Sequence, residues 1–173
     1  MSALHALAMT AHISIAICGS EQVPPAQLEK AEIIAADVYR DIGVAIDWRE
    51  DECGDNEGGL EVDLISRNDV EGPVADVTVG FAEPGSSVAT VLYDRVAKFS
   101  RRFGLKREVL LGYAIAHEIG HLLLPPHSHS MSGVMRATID IDLAARKRLR
   151  FTKEQGEIIV DRLEGFPAVV ATH

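Results

Sequence analysis

The sequence predicts an α+β fold, with one twisted mixed sheet of about five strands packed on a central helix and a further helix near each end. Three observations predict it. Short β-rich segments separated by turn residues fill much of the first half of the chain. Between two of them, apolar residues recur at helical spacing. A later helix, apolar nearly all round and so expected at the centre, carries two histidines four residues apart.

The elements follow in order. His12 to Cys18 (HISIAIC) alternates and is β-rich, giving the first strand. Pro24-Pro25 opens a helix in which Leu28, Ala31, Ala35, Val38 and Ile42 keep helical spacing, and Gly43 stands where a C-terminal cap belongs. Val44 to Trp48 reads as the second strand. Residues 49–59 are acidic and Gly-rich, a loop. Asp51, Asp55 and Glu57 lack EF-hand spacing, so a solvated loop is the simpler reading than a calcium site. Leu60 to Ser66 and Val74 to Phe81 are the third and fourth strands. Glu83-Pro84-Gly85-Ser86-Ser87 then turns into a fifth, Val88 to Tyr93. Leu105 to Leu124 is the central helix, followed by a long loop. The last helix starts near Thr152, where Thr152-Lys153-Glu154-Gln155 is a capping-box pattern, and runs to about Leu163. No repeat or low-complexity linker divides residues 1–173, so one domain is expected, with residues 1–11 as a flexible N-terminal segment.

Size and composition bound the function. With 173 residues, 47% of them apolar, the chain can bury one core. No run approaches bilayer-spanning length, so no membrane partner is expected. A formal net charge of -9 argues against nucleic acid. Arg146-Lys147-Arg148 with Arg150 stands against that trend and reads as a solvated face. Met1 to Ala11 has no basic n-region and only a short apolar stretch, so it does not read as a signal peptide. The expectation is a cytoplasmic monomer, or a secreted or periplasmic one if a leader is missing. Cys18 and Cys53 belong to no CxxC or Cys/His cluster. One disulfide and two separate thiols both fit the sequence.

The chemistry concentrates in His117-Glu118-Ile119-Gly120-His121, with a Met-containing turn, Ser132-Gly133-Val134-Met135, downstream. Histidines four apart are separated by about 1.1 helical turns, so both imidazoles leave one face and can grip one ion. Glu118 lies about 100° round the helix from His117, beside the ion rather than aimed at it. That suits a base acting on water better than a third ligand. A HExxH string can arise by chance, but here an apolar helix bears it and His127, His129 and the Met turn follow it. His5, His12 and His173 have no motif context and are taken as ordinary.

This element order, with HExxH on the second helix and a downstream Met turn, resembles the metzincin clan of zinc metallopeptidases. The resemblance spans nearly the whole chain in element order, but is specific in sequence only from about Gly112 to Arg136. In that clan the motif continues as HExxHxxGxxH, the Gly ending the helix so that the third His swings back to the zinc. His127 stands at that spacing, but Leu124 replaces the Gly and Pro125-Pro126 follow. A left-handed exit at Leu124 carries a steric cost that glycine avoids, and tandem prolines change the exit path. The string HEIGHLLL, then His129-Ser130 and Gly133-Val134-Met135-Arg136, is more similar to a group of small, uncharacterised bacterial metzincin-like proteins. That match favours His129 as third ligand, with His127 as the alternative.

The resemblance implies one catalytic zinc on His117, His121 and His129, with an open position for water. Glu118 would take the water's proton and return it to the leaving amine. Met135 would be the hydrophobic floor beneath the metal, a contact that plain core packing describes equally. The fourth strand would form the upper rim of the cleft, where an extended peptide or protein substrate pairs by β-augmentation. The activity implied is endopeptidase hydrolysis. With about eleven residues before the first strand, no folded inhibitory pro-domain is expected, the protein being either active as made or trimmed from a proform.

Other classes compete. A gluzincin-type peptidase takes a downstream Glu as third ligand, and Glu154 or Glu157 would serve. A metal-dependent ribonuclease also uses three histidines on a small α+β domain, but lacks a Glu after the first and fits an acidic chain poorly. A non-catalytic, zinc-stabilised binding module would have no use for a base at Glu118.

Overall fold

Alternation in the first strand sends Ile13, Ile15 and Ile17 into the core, where all three are buried. The structure, a computed structural model, describes residues 11–49, 53–54, 59–66, 78–83 and 85–165. Its strands are β1 (Ala11–Cys18), β2 (Val44–Arg49), β3 (Leu60–Ile65), β4 (Gly80–Ala82) and β5 (Val88–Leu92). Its helices are α1 (Pro25–Arg40), α2 (Tyr93–Phe103), α3 (Arg107–Leu123), α4 (Ile141–Ala145) and α5 (Lys153–Gly165). The class is α+β, and the sheet is mixed.

Strand order is β2-β1-β3-β5-β4. The first four of these run parallel, and β4 pairs antiparallel to β5 at the edge. Parallel strands need apolar cover. Here α1 and α3 supply it, with Ile34, Val38, Ile115 and Ile119 joining Ile15, Val62, Leu64 and Val91 in one core. Burying each such aliphatic side chain stabilises by about 1.5–3 kcal/mol. Tyr39 ties the two helices together, its buried hydroxyl donating to the Ala116 carbonyl at 3.1 Å. The centre of α3 is therefore held on several sides.

Several elements differ from the sequence reading. The fourth strand, expected over Val74–Phe81, is Gly80–Ala82 among the described residues, and 74–77 lie outside them. The fifth stops at Leu92, because Tyr93 already begins α2 with no intervening turn. That junction has no Gly, Pro or capping side chain, so nothing announces the helix, although Tyr93, Val96, Phe99 and Ser100 are buried at near-helical spacing. The HExxH helix is thus the third helix, not the second, and covers Arg107–Leu123. The single-turn α4 interrupts the loop expected after the Met turn, with the Asp140 carboxylate accepting from the Leu143 N–H at 3.0 Å. At α5 the capping box forms, Thr152 and Gln155 bonding reciprocally. Arg146, Lys147 and Arg148 are exposed, and Arg150 pairs with Asp41. His5, His173, Asp51, Asp55, Glu57 and residues 1–10 lie outside the described residues. Among the described residues, no helix is long and apolar enough to cross a membrane.

Cys18 ends β1 and Cys53 follows β2, its parallel neighbour, and the two form a disulfide with Cα atoms 5.8 Å apart. The bond links residues 35 apart. In the chain-entropy account a loop of that size contributes about 4 kcal/mol. Cys53→Ser should lower the unfolding free energy obtained from urea titration by that order, with a lower midpoint, and reduced wild type should match it. Coincident midpoints for oxidised and reduced wild type would contradict this.

Candidate metal centre

Helix α3 presents His117 and His121 one turn apart, and the loop beyond it returns His129 to the same point. The Nε2 atoms of His117 and His121 are 3.0 Å apart, and those of His121 and His129 are 3.1 Å apart. Ligand atoms of all three lie within 4.8 Å of one another, so the group can hold one metal ion. A tetrahedral zinc with bonds of about 2.0–2.1 Å spaces its nitrogens roughly 3.3 Å apart, so a slight opening of the triad accommodates it.

The conflict expected at Leu124 does not arise. Leu124 is extended (φ -97, ψ 161), as a following proline favours. The left-handed residue is His127 (φ 63), after both prolines. His127 is exposed and stands outside the triad, although it lines the same cleft. Glu154 and Glu157 are exposed on α5, and neither joins the metal-competent group. His129→Ala should cut zinc affinity by orders of magnitude, whereas His127→Ala should leave it near wild type. Competition with a chromophoric chelator measures both, and the reverse ranking would make His127 the ligand.

Hydrogen bonding and burial prepare the triad. His117 donates from Nδ1 to the Val134 carbonyl at 2.8 Å, which sets its tautomer and leaves the Nε2 lone pair for a metal. Burial lowers the pKa of His117. Burial, together with the neighbouring His117 and His129, lowers that of His121 to about 4. Both rings are therefore neutral at pH 7, the state that ligates.

Glu118 is only 3% exposed, and its Oε2 is buried with no hydrogen-bond partner. Burial raises its pKa to about 8. An unpartnered buried carboxyl is costly, and such arrangements concentrate at functional sites. The edge strand β4 lies directly against it: a Cβ at Gly80 would stand 2.7 Å from Glu118 Oε1 and 2.7 Å from the Thr90 carbonyl oxygen. Only glycine permits that approach. Met135 is fully buried, and a Cβ at Gly120 would overlap its sulfur, so the Gly of HEIGH admits the Met turn against α3. The turn is fixed by Val134 N–H donating to the Arg150 carbonyl at 2.8 Å.

Gly80, His117, Glu118, His121 and His129 line a cleft of about 670 Å³ whose walls include Val79, Phe81, Tyr113 and Ile139. A second close group, Cys18 with Glu61 and Asp63, offers no thiolate, because the sulfur of Cys18 is in the disulfide. Neither the models of known protein families nor the curated proteins include a match to this chain. Three parts of the site had escaped the sequence reading: the Val134 carbonyl, Gly80 and the role of Gly120. Only Gly120 carried a signal, since a glycine inside a helix calls for a packing or functional reason.

Proposed function

We propose that the protein is a zinc-dependent endopeptidase of the metzincin type. Its zinc would be held by His117, His121 and His129, a donor set of neutral imidazoles that suits this ion and leaves a position open. A zinc ion held there would supply Lewis acidity, polarising a carbonyl and lowering the pKa of water. Glu118 would act as its carboxylate, the form that a cation held on the three imidazoles favours, taking the proton of the attacking water and delivering it to the leaving amine. The short strand Gly80–Ala82, the edge of the sheet among the described residues, would pair with an extended peptide, while Gly80 keeps that strand close to Glu118. Met135 packs beneath the ligand helix and supports its position.

The observation that carries this reading is the buried Glu118 carboxyl, its Oε2 without a hydrogen-bond partner, lining the same cleft as three convergent imidazoles. A purely structural site needs no such group. Zinc-loaded protein incubated with a mixed peptide library should generate new amino termini, read by mass spectrometry, and a chelator should stop their formation. No cleavage from a fully occupied site would favour the zinc-stabilised binding module.

A further inference from the structure

Among the described residues the buried polar or charged side chains are Glu61, Ser100, Glu118 and Gln155. Gln155 lies on α5, which contributes no ligand to the triad. Its Oε1 accepts from the Thr152 N–H at 3.1 Å, and its own backbone N–H donates to Thr152 Oγ1 at 3.3 Å, completing the capping box. Its amide nitrogen donates to the Ser128 carbonyl at 3.2 Å. The opposite amide orientation would set donor against donor and acceptor against acceptor. A capping box needs only an acceptor at this position, and Glu serves as well as Gln. The amide N–H is therefore surplus to capping, and it reaches across to the metal loop.

The bond falls at a telling place. The Ser128 carbonyl belongs to the peptide unit that carries the N–H of His129. His129 is exposed and its ring contacts are to His117 and His121, so its direction depends on its backbone more than that of a buried ligand would. Its backbone is tethered on both sides: Gln155 holds the preceding carbonyl, and Ser130 N–H donates to the Met135 carbonyl at 3.0 Å. Ser128 Oγ also lies 3.4 Å from His121 Nδ1. We infer that Gln155 is a positioning residue for the metal centre, aiming His129 through the Ser128 carbonyl. This inference rests on the metal reading above.

Two substitutions separate aiming from capping. Gln155→Glu keeps the acceptor and the size, but sets an oxygen against the Ser128 carbonyl. Thr152→Ala removes the capping hydroxyl and leaves the amide in place. Above neutral pH, Gln155→Glu should weaken zinc binding about tenfold, as loss of an outer-shell partner does. It should also change the visible spectrum of the cobalt-substituted protein, and the oxygen facing the Ser128 carbonyl should lower the thermal midpoint as well. Thr152→Ala should lower the midpoint and leave affinity and spectrum intact. If Gln155→Glu does not fold, Gln155→Met should show the same loss of affinity relative to Thr152→Ala. Wild-type affinity and spectrum in the Gln155 variants would overturn the inference, as would an equal loss in Thr152→Ala. A wild type that binds neither zinc nor cobalt would overturn the metal reading itself, and the role of Gln155 with it.

Discussion

Replacing His117 or His121 with alanine should abolish stoichiometric zinc binding. The two nitrogens lie 3.0 Å apart at the focus of the triad, and His117 is the ring whose tautomer the Val134 carbonyl sets. Two remaining imidazoles, one of them on the exposed His129, cannot hold the ion tightly. Because only the folded chain presents the triad, zinc should raise the unfolding free energy of wild type by about 2.7 kcal/mol at a hundredfold excess over Kd. The variants should show no such gain. Elemental analysis of the His117→Ala/His121→Ala double variant decides the point, and full zinc content there would remove the metal site from the account.

Glu118→Gln should leave zinc content intact and slow peptide hydrolysis by at least about 10² to 10⁴, the range of general acid–base groups. A variant that cleaves as fast as wild type would rule Glu118 out as the base. The same substitution has a signature in the metal-free protein. The folded-state pKa of Glu118 is raised from 4.5 to about 8, so its contribution to stability is fully present below pH 4.5 and is lost as pH rises to about 8. His117 and His121 have lowered pKa values and act in the opposite sense, but only below pH 6.5. Among these three groups, the window from pH 6.5 to about 8 therefore belongs to Glu118. Urea unfolding of chelator-treated protein should show stability falling across that window in wild type and not in Glu118→Gln. Equal slopes would show that the carboxyl is not held in its acid form.

His117, Glu118 and His121 are legible in the sequence because helical spacing is local: once the segment is a helix, the three directions follow. The third histidine is harder. Its position depends on the path after Leu124, where tandem prolines move the left-handed turn to His127 and bring His129 to the triad. Spacing alone left both histidines open. The contact of Gly80 with Glu118 and the bond from His117 to Val134 are tertiary, joining residues far apart in the chain, and no pattern reports them. Helix α2 is illegible for a local reason, since β5 runs into it without a punctuating residue. The disulfide joins the ends of parallel neighbours, and only the pairing of β1 with β2 decides between a bridge and two thiols.

The central claim, that one zinc on His117, His121 and His129 drives peptide hydrolysis with Glu118 as base, is tested most directly by titrating zinc into metal-free wild type. Cleavage of the peptide library is followed at each addition. Activity should rise with zinc and level off at one equivalent per chain. Full occupancy without cleavage, or cleavage that does not depend on zinc, would contradict it.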